Sequence, residues 1–286
     1  KIPAGDDIGA TANGRIDTDV DTLEADTTNA NGDIFILEND AVSLDNDVVA
    51  GVGGLIEITS GGLMTVNSAV TATGTGTIDL IAAGITVNDG NDVSSATGTI
   101  TLNAGANTIQ LNDSGADRSR IVTTNADIVM TSDDLVIQAN DPAAQIVTGT
   151  NNNVTINEST DGRTLGLGAG AGDFSINNAE IAEFSIGSGR LTLGSTLDGT
   201  DMGAITIDTV LSAGSSELSS VYMFDKYYIE NTLIPNLHAE AQQGIDGAQE
   251  GYDYFTNLMD EDSLATLNAV DETVYSFGGD SSLTSI

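Results

Sequence analysis

Apolar residues along this chain fall on alternate positions in short runs, and the runs return at a near-constant interval. Units of one grammar start near Asp33 (DIFILENDAVSLDND), Gly54 (GLIEITSGGLMTVNS), Gly76 (GTIDLIAAGITVNDG) and Gly98 (GTITLNAGANTIQLND). Further units start near Ala126 (ADIVMTSDDLVIQAND), Asn152 (NNVTINESTDGRTLGLG) and Phe174 (FSINNAEIAEFSIGSGRLTLG), with a weaker echo, GAITIDTVLS, from Gly203. Most intervals are 21 or 22 residues; the longer ones, 28 and 26, carry loop material, NDSGADRSR and NDPAAQ.

Each unit reads as a short alternating strand, a small polar turn and a second alternating strand. Ile78-x-Leu80, Ile100-x-Leu102, Ile128-x-Met130 and Val154-x-Ile156 give the first strand. Ile85-x-Val87, Ile109-x-Leu111, Leu135-x-Ile137 and Leu165-x-Leu167 give the second. Period-two alternation of β-branched residues between Gly, Asn and Asp is the signature of strand and turn. Strands this short do not make a stable hairpin alone, but equivalents stacked in register pair at about 4.8 Å. A third side is expected from AVTATG (69–74), DVSSATG (92–98) and RIVTTN (120–125), and three sides per unit make a parallel β-helix. The expected fold is therefore an all-β solenoid of about 22-residue rungs over residues 1–214. RIDTDVDTLEADTTNANG (15–32) is expected to form the first rung, with Ile16, Val20 and Leu23 facing inward. A β-sandwich is the rival architecture; the near-identity of TGTIDL and TGTITL favours stacking in register.

Beyond about residue 215 the texture changes: all six tyrosines and three of the six phenylalanines lie between Tyr222 and Phe277. The tail, 215–286, opens on the strand-like VYMFDKYYI (221–229) and is expected to contain one amphipathic helix over about 235–260. Its apolar face is Leu237, Ala241, Ile245, Ala248, Tyr252, Phe255 and Met259. Gly244, Gly247 and Gly251 form a small-residue stripe beside it. The tail ends in one more strand-like stretch, ETVYSFGGDSSLTSI. As a cap or an assembly element, it offers Tyr222, Phe224, Tyr227, Tyr228, Gly244, Gly247, Gly251, Tyr252 and Phe255 as candidate interface residues.

Charge narrows the function classes. Seven Lys and Arg against 43 Asp and Glu give a formal net charge of −36. Such a surface repels phosphate backbones and anionic lipid, so no nucleic-acid partner is expected. No apolar run reaches the length of a membrane span, so no membrane insertion is expected. Without cysteine there is no disulfide framework, zinc ribbon or thiol nucleophile. The chain opens on Lys1 with no signal-like apolar segment, as a processed or excised piece would.

Chemistry-bearing motifs are few. The single histidine, His238, falls on the tail helix with no nucleophile turn near it, and reads as a solvent-facing side chain. Carboxylates are the hard oxygen ligands that Ca²⁺ takes, and three stretches supply candidates. These are Asp17, Asp19 and Asp21 in DTDVD, Asp89 and Asp92 in NDGND, and Asp173 in GAGAGD. DTDVD lacks the glycine and the glutamate that complete an EF-hand loop, and neither other stretch repeats in tandem; solvated turns compete with bound Ca²⁺ at each. Parallel β-helices include enzymes that cleave acidic polysaccharides, but seven basic residues are a thin supply for gripping an anionic glycan. Arg118 and Arg120 share a loop with Asp113 and Asp117, which reads as a salt-bridged loop. No enzymatic activity and no cofactor beyond Ca²⁺ are expected.

The units GDIFILENDAVSL, TGTIDLIAAGITVNDGNDVSSATGTITLNAG and GRTLGLGAGAGDFSINNAEIAEFSIGSGRLTLG resemble those of filamentous-haemagglutinin-like adhesins and related β-strand-repeat bacterial surface proteins. The resemblance covers roughly residues 10–210. It implies a right-handed, secreted β-helical shaft used in adhesion, matrix building or surface coating. The family's N-terminal secretion motif has no counterpart here. The expectation is an extracellular, cell-surface structural protein whose partners are other copies of itself, joined head to tail. The alternatives are a monomeric adhesin module that binds a glycan or host surface and, behind it, a polysaccharide-active β-helix enzyme.

Overall fold

The computed structural model describes residues 6–194, apart from 12–13, 29–30, 116 and 141–142, together with the short strands Ile2–Pro3, Ile205–Asp208 and Val221–Met223. Nearly all of it is parallel β-sheet, wound as a solenoid of about six turns with rungs of about 23 residues. One rung shows the plan. Ile78–Ile81 lies on face 1, Ile85–Val87 on face 2 and Asp92–Ser95 on face 3, and the chain then enters Ile100–Asn103 on face 1 again. The register is strict: Ile34, Ile56, Ile78, Ile100, Ile128, Val154 and Leu191 are successive partners on face 1. TIDL and TITL are parallel neighbours, Ile78 on Ile100 and Leu80 on Leu102.

Parity explains the core. Side chains of a strand alternate between faces, so every second residue joins a column running down the interior. Val42, Met64, Ile85, Ile109 and Leu135 form one such column on face 2. Val48, Val70, Val93, Ile121 and Ile146 form another on face 3, and all of these are essentially unexposed. Burying an Ile, Leu or Val contributes about 1.5–3 kcal/mol relative to exposure. Rung upon rung of such layers builds a core without large rings.

The corners are equally repetitive. Between faces 3 and 1, Gly54, Gly76 and Gly98 occupy one level of successive rungs. A Cβ on Gly76 would lie 2.4 Å from the Gly54 carbonyl oxygen, and one on Gly98 would lie 1.9 Å from that of Gly76. Only glycine fits, which accounts for the TGT that opens these units. After face 2, Asn67, Asn88 and Asn112 stack as an amide ladder. Asn112 Nδ2 donates to Asn88 Oδ1 (2.6 Å), Asn88 Nδ2 to Asn67 Oδ1 (2.5 Å) and Asn67 Nδ2 to Asp45 Oδ1 (2.8 Å). The donors all point one way, onto a carboxylate held below the usual range by its Ser43 and Asn67 hydrogen bonds.

Three expectations need correction. Val20 is 38% exposed, because it lies in the turn after Ile16–Thr18, where its N–H donates to Glu38; Leu23 is buried as expected, Ile16 is packed partly buried against the core, and Ala25 completes the inward set. Ile2–Pro3 and Ile8 add pairings before that rung, on Ala25–Asp26 and Ile34. The unit placed at Phe174 does not start a rung. Phe174–Ile176 lies beside Asp134–Ile137 on face 2, and Leu165–Gly168 sits on its far side, followed by Ile205–Asp208. The return between those strands, 169–173, runs across Gly166, whose Cβ would lie 2.3 Å from the Gly170 carbonyl oxygen. Gly166, Gly170 and Gly172 of GLGAGAG are thus explained by backbone packed on backbone, and Gly168 by its φ of +72°. A single-turn helix, Asn178–Ile181, follows, opened by a capping box between Asn177 and Glu180 that the sequence reading passed over. The tail helix, the terminal strand and the domain division near residue 215 lie outside the described residues.

Candidate functional site

Carboxylates converge at the N-terminal end of the solenoid. Ile34, Ile36 and Glu38 share the inward parity of one strand, so Glu38 is carried into the corner after face 1 and is 1% exposed. A charge buried there needs hydrogen bonds. It accepts from Thr18 Oγ1 at 2.5 Å, from the Asn39 N–H at 3.0 Å and from the Val20 N–H at 3.2 Å. Asp19, from the rung before, and Asp40, two residues on, bring carboxylate oxygens within 4.8 Å of it and of each other. Asp40 is pushed above the ordinary carboxylate range, first by lost hydration and then by the negative charges of Asp19, Glu38 and Asp21. Oxygen-only groups in mutual repulsion are the donor set that suits a hard divalent cation, and Asp19, Glu38 and Asp40 would supply its protein ligands. A shallow groove of about 330 Å³ on the neighbouring part of face 3 is also acidic, lined by Glu24, Asp26 and Asp47 with Thr28, Asn46, Val49 and Ser68.

Of the sequence candidates, Asp19 joins this cluster and Asp21 contributes to its field, whereas Asp17 is exposed on the outer side of the strand, paired with Leu37. Asp89 lies in the turn 88–91, away from those groups. Asp92 is engaged by Arg120, its register partner on the next rung, whose Nε and Nη2 reach the two carboxylate oxygens at 2.9 and 2.5 Å. The expectation of a purely local salt bridge for Arg120 therefore gives way to one between rungs. Asp173 accepts from Thr164 Oγ1 at 3.0 Å and is held below the usual range by Thr164. Tyr222 falls in Val221–Met223, the strand paired with Leu191–Leu193. Phe224, Tyr227, Tyr228, Gly244, Gly247, Gly251, Tyr252, Phe255 and His238 lie outside the described residues.

On face 1, Glu57 and Asp79 are register neighbours on the outer side, and Arg15 reaches Glu57 with both Nε and Nη2. Asp79 is raised by burial first and by Glu57 second, with Arg15 opposing. Arg15 directly precedes the second of two pairings with the strand Ile34–Glu38, Ile8 on Ile34 and Ile16 on Ile36, and Phe35 is 3% exposed despite its outward parity.

Glu38 and Asp40 escaped the sequence reading, although the alternation Ile34-x-Ile36-x-Glu38 marks the former as inward. No family model, no curated protein and no solved structure matches this chain.

Proposed function

We propose that the protein is an extracellular structural element, a stiff solenoid rod that joins other copies head to tail into a surface fibre or sheath. The observation that carries this reading is that the described sheets end in edge strands with no further pairing strand among the described residues. Face 1 begins on Ile16–Thr18, which pairs on one side only among the described residues, and ends on Val221–Met223; face 3 ends on Phe184–Ser185. A row of unpaired N–H and C=O groups invites another strand, and a contact between unlike ends propagates as an open filament unless its rotation closes a ring. Self-repulsion at a net charge of −36 opposes assembly, so divalent cations at the acidic end, with Asp19, Glu38 and Asp40 as ligands, promote it. The shaft resembles that of filamentous-haemagglutinin-like surface proteins, in which the repeat region is scaffold and not catalyst.

Electron microscopy and light scattering of the purified chain, with millimolar calcium and with chelator, test this reading. Calcium-dependent filaments of one rod width are the expected result. Monodisperse monomers at high concentration in calcium would refute it, and monomers that bind an immobilised glycan would move the assignment to the adhesin reading.

A further inference from the structure

The two long inserts of the solenoid meet over a buried polar cluster. From the first insert come Asp113, 1% exposed, Ser119, fully buried, and Arg118. Asp113 accepts from the Gly115 N–H at 2.7 Å and from the Asn140 N–H at 2.8 Å, and Arg118 closes the loop through an antiparallel bridge with Asp113. From the second insert comes Gln145, fully buried, whose Nε2 donates to the Gln138 carbonyl at 2.6 Å. Glu183, from the segment after the single-turn helix, completes the cluster at 4% exposure.

Glu183 occupies a pivotal place in the backbone. Its carbonyl accepts from both the Gln145 and Ile146 N–H groups, at 3.0 and 2.9 Å. Immediately beyond it, Ile146–Val147 pairs with Phe184–Ser185 over two residues, against four for Asp92–Ser95 on Arg120–Thr123. The last described turn of face 3 is thus held by a short ladder with a carboxyl group beside it. That carboxyl is reached by Gln145, while its Oε2 is buried with no hydrogen-bond donor among the described residues. The charged groups facing it are Asp113, which repels its anion, and Arg118, which attracts it. Glu180, on the same segment, gives its oxygens to the Ile137 N–H (3.1 Å) and Asn177 (2.9 Å) and has Asp134 as its charged neighbour.

The geometry points to a proton-operated clasp: protonated Glu183 locks the last turn of face 3 and both inserts to the rung below, and its ionisation beside Asp113 loosens them. Burial, followed by Asp113, pushes the Glu183 carboxyl up to about 7. Because the folded form holds its proton more tightly than the open form, stabilisation is complete below the ordinary value of 4.5. It falls as pH rises from there and is gone above about 7. Opening would bare the Ile146–Val147 edge to another strand, but the clasp stands whether or not the rod assembles.

Amide exchange on the full chain, corrected for intrinsic rates, tests it at about pH 5.5 and about pH 8.5. Peptides spanning 112–120, 138–147 and 180–186 are expected to open roughly 30-fold more readily at the higher pH, while 56–87 stays unchanged. Glu183→Gln should abolish that difference. The same rise in the variant, or no rise in the unaltered chain, would overturn the clasp. Should the variant fail to fold, ¹³C titration of the unaltered chain decides: a Glu183 midpoint near neutrality sustains the proposal, and one below about 5 removes it.

Discussion

The rungs between Ile34 and Ser95 and those between Asn112 and Phe184 share the same inward ladders, yet they differ in what their corners bury. In the first group Glu38 is the one buried acid at a corner among the described residues, the other corners are glycine, alanine and small hydroxyls, and the Asn ladder keeps its amides at the surface. In the second, Asp113, Ser119, Gln145, Glu158, Glu180 and Glu183 are all buried. Length is the cause where the buried group sits on an insert, as Asp113, Ser119 and Gln145 do. A rung that matches its neighbour pairs its backbone automatically with the rung below, whereas an inserted loop has no equivalent beneath it and must bring its own acceptors. Asp113 does this for Gly115 and Asn140. Insertion therefore carries Asp113 into the interior beside Glu183, and pH sensitivity near neutrality should concentrate there, while the raised carboxyls of the regular rungs are Asp40 and Asp79.

The largest effect should come from breaking the regular half at its tightest point. Gly98→Ala places a methyl carbon 1.9 Å from the Gly76 carbonyl oxygen, which only a shift of one rung against the next can relieve. A loss of more than about 3 kcal/mol is expected from denaturant midpoints, in the range of severe overpacking. Gly162→Ala is the control. Its Cβ meets nothing within 4 Å, but φ is +77°, so the loss should be the 1–2 kcal/mol or so of a left-handed non-glycine residue. Equal losses at the two sites would mean that the glycine column does not set the rung spacing.

What could be read beforehand follows the same divide. Ile34-x-Ile36, Ile78-x-Leu80 and Val93-x-Ser95 were legible because parity in a strand is strict and one face of each is buried. Regular spacing placed the third side within 69–74, 92–98 and 120–125 as well, and the strands Val70–Ala72, Asp92–Ser95 and Arg120–Thr123 lie there. Spacing misled at Leu165 and Phe174. Both segments carry the strand signature, and nothing in their alternation says which lies against Asp134–Ile137. The six residues GAGAGD, too short to circle the rod, were the available sign that the chain doubles back there. The carboxylate cluster was half visible for a related reason. DTDVD invites a search for ligands along the same loop, but Glu38 and Asp40 come from the next rung, and contacts between rungs have no local motif.

A medium effect should come from the Asn ladder. Asn88→Ala removes the middle amide, so Asn67 loses a donor and Asn112 an acceptor. Both are near the surface and can turn to water, so the expected loss is about 1 kcal/mol, the net value of an ordinary hydrogen bond. It should fall on the three rungs of the ladder, as faster exchange in 64–67, 85–88 and 109–112 with 180–186 unaffected. Loosening that spread into the inserts would show that the two halves unfold as one unit.

The smallest effect belongs to the seam between the halves, where Asp92 of the last regular rung meets Arg120 at the end of the first insert. Their side chains are 29% and 40% exposed, so water competes for both charges and screening by salt is effective. Asp92→Asn keeps the shape and one acceptor, and should lower stability by less than about 1 kcal/mol, with the difference fading in high salt. The backbone ladder of four register pairs, Asp92 to Ser95 on Arg120 to Thr123, is then what transmits order across the seam. A loss well beyond that bound, persisting in salt, would instead make the ion pair the element that positions the first insert and, through Arg118 two residues away, the surroundings of Glu183.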